Sequence, residues 1–374
     1  MLEQEHELET LEVNVNMGPQ HPATHGVFRM VLKVDGEKVV DLVPHIGYMH
    51  RGAEKLSEHM DYRQAIGYQD RTEYLAGFNA EHCYILAVEK LAGLPAPERA
   101  EYIRLILAEL NRITSHYMFM GAFGTDLGVY GTTFTYGFRE REYIQDLFEE
   151  VSGDRLMYGY FRPGGLAWDV PPNFKERVRW LCRQTRVGID DIDRILTRNE
   201  VFVARTRGIG AISPEDAVDY GISGPSLRAT GLKVDLRREE PYSLYDHLDF
   251  EIPTGEYGDS FDRYWVRLEE MRQSVRIVEQ AVEQMPGSGP IIAEKVPKRL
   301  RPPPGEVYMR VEAPRGEYGI YLVSKGGDKP YRLKIRAASY SNLMALKQMS
   351  VGHYVADAVA ILGSIDIVLC EVDR

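Results

Sequence analysis

The chain has 374 residues, 44% hydrophobic and 27% charged, with a formal net charge of −11 at pH 7. That length can bury a substantial core in two or three sub-structures. No uninterrupted apolar stretch approaches the roughly 20 residues that span a bilayer, and the negative balance argues against non-specific affinity for nucleic acid or anionic lipid. Three cysteines, Cys83, Cys182 and Cys370, lie far apart with no C-x-x-C pair, which argues against a disulfide framework or a four-cysteine iron–sulfur site. The start, Met-Leu-Glu-Gln-Glu-His-Glu, is acidic and lacks both a basic leader and an apolar core, so neither secretion nor organelle import is expected.

After this leader, Gly18-Pro-Gln-His-Pro-Ala-Thr-His-Gly26 reads as a stiff polar loop carrying two imidazoles. It leads into a predicted β-hairpin, Val27 to Val34 and Glu37 to Val43, turning at Asp35-Gly36. Helices are then expected from Asn79 to Leu91, ended by Gly93 and Pro95, and from Glu98 to Tyr117. In the second of these, Ile103, Ile106, Leu107, Leu110, Ile113 and Tyr117 form one apolar stripe, best read as core packing. Further helices are predicted over Thr135 to Val151, over Asn173 to Arg198 with Asn173 as a cap, and from Asp259 or Ser260 to Met285. Pro286 to Gly305 reads as a proline-rich connector. Beyond it Val307 to Glu312 and Gly319 to Ser324 form strands about a turn at Pro314-Arg-Gly, Tyr331 to Arg336 adds a third, and Ser341 to Leu362 returns to helix.

The residues that could carry chemistry are ambiguous one by one. His21 and His25 are four apart, half of a metal site at most, and the plain reading is hydrogen bonding within the loop. Tyr74 is one of 23 tyrosines, Asp126 sits in Gly124-Thr-Asp-Leu-Gly128 as turn aspartates do, and an isolated Arg71 suits a surface ion pair.

Taken together, the motifs resemble the 49-kDa (D) subunit family of respiratory complex I, the proton-translocating NADH:quinone oxidoreductase. The likeness runs through the His21/His25 loop, His45-Ile-Gly-Tyr-Met-His-Arg-Gly-Ala-Glu54, Asp70-Arg-Thr-Glu-Tyr-Leu75, Phe138-Arg-Glu-Arg-Glu142, Phe161-Arg-Pro-Gly-Gly165, Gly224-Pro-Ser-Leu-Arg-Ala-Thr-Gly231 and Gly363 to Arg374, in the family's order. The resemblance implies that His25 and Tyr74 donate hydrogen bonds to a quinone headgroup. A quinone carbonyl gathers negative charge on reduction, and a phenol and an imidazole on either side can stabilise that charge or give up protons. It further implies that Asp126 is the acidic partner of His25 and that Arg71 lies near the terminal four-iron four-sulfur cluster of a partner subunit. One departure is visible: Met157 stands where many members carry a histidine before Arg-Pro-Gly-Gly.

A more distant likeness is to the large subunit of nickel-iron hydrogenases. Arg51-Gly-Ala-Glu54 is similar to its Arg-Gly-x-Glu segment, and Cys370 stands alone where a metal-binding thiol pair would be. Four thiolates cannot be assembled, so the hydrogenase reading is disfavoured. A plastoquinone-reducing relative of complex I shares most of the motifs.

The expected fold is α+β, with a predominantly helical core and small β-rich pieces at both ends. The expected divisions are 1–50 (sheet and quinone-site loop), 51–285 (helical core) and 286–374 (connector and C-terminal β/α region). The resemblance implies no cofactor bound by this chain, quinone as substrate, and no role for nucleic acid. Implied partners are the small cluster-bearing B-type subunit, the 30-kDa C-type subunit and membrane-arm subunits at the quinone entrance. The implied location is peripheral, on the cytoplasmic side of a bacterial cell membrane.

Overall fold

The computed structural model describes residues 11–129 and 131–374. Strands β1 (Glu12–Met17), β2 (Arg29–Asp35) and β3 (Lys38–His45) form an antiparallel sheet in that order. Alternation along β2 buries Met30, Leu32 and Val34, as a strand with one core-facing side requires. Asp35 pairs with Lys38, so the two turn residues are Gly36 and Glu37, one place later than Asp35-Gly36, with Gly36 supplying the positive φ of 60°. Strand β1 lies between the acidic start and the Gly18–Gly26 loop, where no strand was expected. It carries exposed Val13 and Val15 and reaches the sheet through backbone pairing from Glu12↔Asp35 to Met17↔Met30.

The helical body comprises α1 (Ile66–Thr72), α2 (Gly77–Ala92), α3 (Glu98–Asp126), α4 (Thr132–Ser152), α5 (Phe174–Leu196) and α6 (Ser260–Gln284). Helix α3 runs nine residues beyond the expected end at Tyr117, so Asp126 closes a helix and is not in a turn. The extension is possible because α4 comes close alongside it: a Cβ on Gly124 would stand 2.4 Å from Thr133 Oγ1. Helix α3 is also buried on both faces, which the single apolar stripe did not indicate. Its charged face is matched by partners: Arg104 Nη2 is 2.7 Å from Glu89 Oε1, Arg237 Nη1 is 3.2 Å from Glu109 Oε1, and His116 Nε2 is 3.1 Å from Glu270 Oε2. Buried charges persist only when paired in this way. Asn173 makes no side-chain cap for α5, whereas Asp259 accepts from Asp262 N at the start of α6.

A second antiparallel sheet consists of β4 (Gly305–Ala313), β5 (Gly316–Ser324) and β6 (Arg332–Arg336). Ala313 pairs with Gly316, leaving Pro314 and Arg315 as the turn. The expected helix from Ser341 to Leu362 is broken into Ala338–Met344, Leu346–Ser350 and α7 (Val355–Ile365), followed by α8 (Leu369–Asp373). The break arises where the chain bends to bond with β3: Gly352 N donates to Val39 O at 2.8 Å, and Val39 N donates to His353 O at 2.9 Å.

Two apolar cores result. The larger joins α2–α6 with β4–β6; the smaller packs Phe28, Met30, Leu32 and Leu42 against Ile212, Leu227, Leu346, Ile361 and Leu369. At roughly 1.5–3 kcal/mol for each large side chain fully buried, this smaller core anchors the His25 loop to the C-terminal helices.

Candidate functional site

The loop before β2 is shaped by its own polar groups. His21 Nδ1 accepts from Ala23 N at 3.2 Å and caps the short 3₁₀ turn Pro22–Thr24. Thr24 Oγ1 lies 2.7 Å from His21 O and 3.0 Å from Gly26 O. His25 follows in the left-handed region, at φ 51°. That conformation costs a non-glycine residue about 1–2 kcal/mol, and it turns the His25 ring inward, away from His21. There His25 Nε2 meets Asp126 Oδ2 at 2.5 Å, with the two side chains 15% and 12% exposed. Burial alone would push the His25 pKa down. The hydrogen bond and charge of Asp126, with the charge of Asp366 behind it, outweigh burial and raise it, favouring imidazolium.

Helix α7 closes over this pair through Gly363, where a Cβ would come 2.9 Å from Asp126 Oδ2, 3.1 Å from Phe123 Cδ2 and 3.5 Å from His25 Nε2. Asp366, just past the end of α7, adopts φ 60° and is held by Arg315, whose Nε donates to Asp366 O at 2.7 Å and whose Nη2 lies 3.2 Å from Oδ1.

Tyr74 lies just beyond α1. Its phenol pKa is raised, chiefly by burial, with Cys370, Glu73 and Asp366 adding to the effect and Arg315 opposing it. His25 and Tyr74 therefore share one electrostatic neighbour, Asp366. Arg71, on α1, spends one bond on its own helix, Nη1 to Gly67 O at 2.6 Å. It lines a cavity of about 730 Å³ together with Met49, Arg51, Met60, Cys370 and Arg374, a volume within the usual range for small-molecule pockets. His25, Tyr74 and Asp126 are not among the cavity's walls; Thr72, two residues before Tyr74, is.

The geometry thus brings His25 to Asp126, while Tyr74 is tied to them only electrostatically, through the charge of Asp366 that acts on both, and Arg71 faces the adjoining cavity. Sequence reasoning passed over Gly363, Asp366, Arg315 and Glu73, although three of these lie within the motifs that carry the family likeness. A Ser-Ile-Asp-Ile run at a helix end and an arginine in a hairpin turn give no local sign of burial. Cys83 Sγ lies 3.3 Å from Tyr318 O and 3.4 Å from Met309 O, deep in the larger core, remote in sequence from buried Cys182 and from Cys370 in the cavity wall.

Comparison with known proteins identifies the lineage. The model of the family described as "Respiratory-chain NADH dehydrogenase, 49 Kd subunit" matches residues 126–302 and 294–374. The chain belongs to this family. A Roseiflexus sp. protein named as a D-type subunit of NADH-quinone oxidoreductase is 49% identical over 373 residues, covering 98% of this chain and all of that protein. A relative of the same name from Dehalococcoides mccartyi is 52% identical over 360 residues, 96% of this chain and 98% of the relative. Its namesake in Carboxydothermus hydrogenoformans is 48% identical over 366 residues, 98% and 100% of the two chains. The family match opens at Asp126, so His25, Arg71 and Tyr74 lie before it, in the part of the chain that these near full-length likenesses cover. The α+β architecture, helical in the middle with small antiparallel sheets toward both ends, agrees with the expectation for this 49 Kd subunit family.

Proposed function

We propose that this chain forms the quinone-headgroup site of a proton-translocating NADH:quinone oxidoreductase, with His25 and Tyr74 as the two hydrogen-bond donors. The observation that carries the reading is the contact of His25 with Asp126 across 101 residues of sequence. An imidazolium held by a buried carboxylate is a proton donor with a fixed direction and a partner that feels its loss. When His25 gives its proton to a reduced quinone, Asp126 is left without a counter-charge, and that imbalance is the first signal sent toward distant proton translocation.

Tyr74 supplies the second donor. Its side chain is half-buried, so a ligand can reach it. The cavity beside Arg71 is where a partner carrying a four-iron four-sulfur cluster docks; the guanidinium there favours the reduced, more negative cluster. This chain itself binds no redox centre, and it sits peripherally on the cytoplasmic side of a bacterial membrane through its partners, the 30-kDa and membrane-arm subunits among them. No described helix is long and apolar enough to cross a membrane.

The test is Tyr74→Phe in the assembled complex, which removes one hydroxyl. Quinone reductase activity with a short-tailed quinone is expected to fall by about 10²-fold, the lower end of what a positioned proton donor contributes, while the subunit content of the complex stays the same. Unchanged turnover would refute the headgroup role.

A further inference from the structure

Arg315 occupies a two-residue hairpin turn, a position that ordinarily points to solvent, yet its side chain is 1% exposed. It enters a buried cluster of carboxylates. Nη1 lies 2.9 Å from Glu73 Oε1 and 3.0 Å from Ser115 Oγ, and Nη2 lies 3.2 Å from Asp366 Oδ1. Glu371 is the carboxylate neighbour whose charge, after burial and against the opposing charge of Arg315, raises the Glu73 pKa, and the two can hydrogen-bond once one of them is protonated. Glu371 is already taken up by other donors, Ala338 N at 2.8 Å on Oε1 and Ser339 Oγ at 2.5 Å on Oε2. Glu73 Oε2 is buried and has no other partner among the described residues.

Charge counting leads to the same atom. Three carboxylates, Glu73, Glu371 and Asp366, are gathered about Arg315, and the only further guanidinium on them among the described residues is Arg267, whose Nε is 3.9 Å from Asp366 Oδ2. With the His25 imidazolium already balanced by Asp126, two guanidinium charges leave one negative charge in excess in a water-poor interior, which is the circumstance in which a carboxyl retains its proton. The charge of Glu73 is also felt by the hydroxyl of Tyr318, the thiol of Cys370 and the phenol of Tyr74, and Arg51 acts on that thiol from the cavity side.

We propose that Glu73 and Glu371 hold one proton between them immediately behind Tyr74, and that this proton refills the Tyr74 phenol each time it has protonated a reduced quinone. The inference rests on the quinone-site reading above. In the balance, a partner's iron–sulfur centre supplies two electrons one at a time, and the quinone oxygens take one proton from the Tyr74 hydroxyl and one from His25. The proton on Glu73 Oε2 then passes to the Tyr74 phenolate oxygen, leaving Glu73 and Glu371 both ionised beside Arg315. A solvent proton restores Glu73, entering from the side of the cavity wall formed by Thr72 and Cys370.

The experiment uses the assembled complex carrying Glu73→Gln. Infrared difference spectra between oxidised and quinone-reducing states should lose the carbonyl stretch of a protonated carboxylic acid that the unsubstituted complex shows. In the same variant kcat should fall at least tenfold with KM within twofold, and the remaining activity should no longer follow the original pH profile. Glu73→Asp should restore part of kcat. Should Glu73→Gln fail to assemble, Glu371→Gln removes the same shared proton and must remove the same band. Retention of the band in either variant, or a kcat within twofold of the original, overturns the proposal. Because Tyr74→Phe tests headgroup binding by itself, loss of turnover there with an intact carboxyl band in Glu73→Gln would discard the proton store and leave the quinone site standing.

Discussion

Gly363 approaches Asp126 so closely that a single added methyl group would stand 2.9 Å from the carboxylate oxygen that holds His25. Glycine inside a helix ordinarily costs about 1 kcal/mol relative to alanine, so Gly363→Ala would stabilise α7 if the helix were free. Here the Cβ also meets Phe123 Cδ2 at 3.1 Å. The expected result is a net loss of about 1–3 kcal/mol, the usual cost of overpacking a close-packed interior, with quinone turnover reduced because the His25–Asp126 contact is pushed open. Thermal unfolding and quinone reductase assays of the variant complex check both parts.

Asp126→Asn removes the charge and keeps the shape. His25 then has only burial, which lowers its pKa, and the weaker charge of Asp366, which raises it. A histidine whose pKa is raised on folding contributes stability that is fully present below its unfolded value and is lost as pH rises through the folded value. The stability difference between the original chain and Asp126→Asn should therefore be greatest on the acid side, about 3 kcal/mol for a buried pair deprived of one partner, and should shrink as pH rises. A difference that grew with pH would contradict the ion pair. Unfolding temperatures of the two proteins across the neutral range decide it.

A second carboxyl pair gives a pH effect of the same sign. Asp70, on α1, and Glu81, on α2, are neighbouring buried carboxyls that can hydrogen-bond once one of them is protonated. Asp70 Oδ2 accepts from Gly159 N at 3.0 Å, and Glu81 Oε2 accepts from Tyr160 N at 3.2 Å and Phe161 N at 3.0 Å. Burial, the largest influence, pushes Asp70 up to about 6 against the opposing effect of its hydrogen bonds and of Arg71 and Arg162. For a carboxyl raised on folding, the stabilisation is complete below the unfolded pKa and is lost as pH rises through about 6. Asp70→Asn should remove that dependence, so unfolding curves of the two proteins should diverge between acid and neutral pH. Parallel curves would show that the pair carries no shared proton.

Much of the architecture could be read from residue pattern. The hairpin of β2 and β3, the α2 helix ended by Gly93 and the Asp259 cap of α6 each followed from short-range rules that tertiary contacts did not override. Where the pattern misled, longer-range contacts decided. The stripe on α3 identified one buried face, while the other face became buried because Arg104, Glu109, Arg112 and His116 each found a partner far along the chain or close on the helix. Periodicity reports apolar faces only, so a polar face buried by ion pairing is invisible to it. The continuous helix expected from Ser341 to Leu362 failed for a related reason: Gly352 and His353 bond to Val39, more than 300 residues earlier.

The candidate site was legible only in part. His25, Tyr74, Asp126 and Arg71 were selected by family resemblance, and no local rule would have singled them out. Arg315 and Asp366 remained hidden because both occupy turn-like positions, a hairpin tip and a left-handed residue at a helix end, that generally face water.

The bonds that seat the front of the chain have a consequence for biosynthesis. Asp373 accepts from Gly47 N at 2.8 Å and from Met49 N at 2.7 Å, contacts that span 326 and 324 residues. At typical ribosomal speeds the earlier segment waits on the order of tens of seconds for its counterpart to be made. A nascent polypeptide therefore cannot display a finished pocket, and assembly factors or neighbouring proteins that recognise its rim would find nothing to grip until translation had passed Asp373. The order of manufacture itself would then guard against premature docking of a half-made chain.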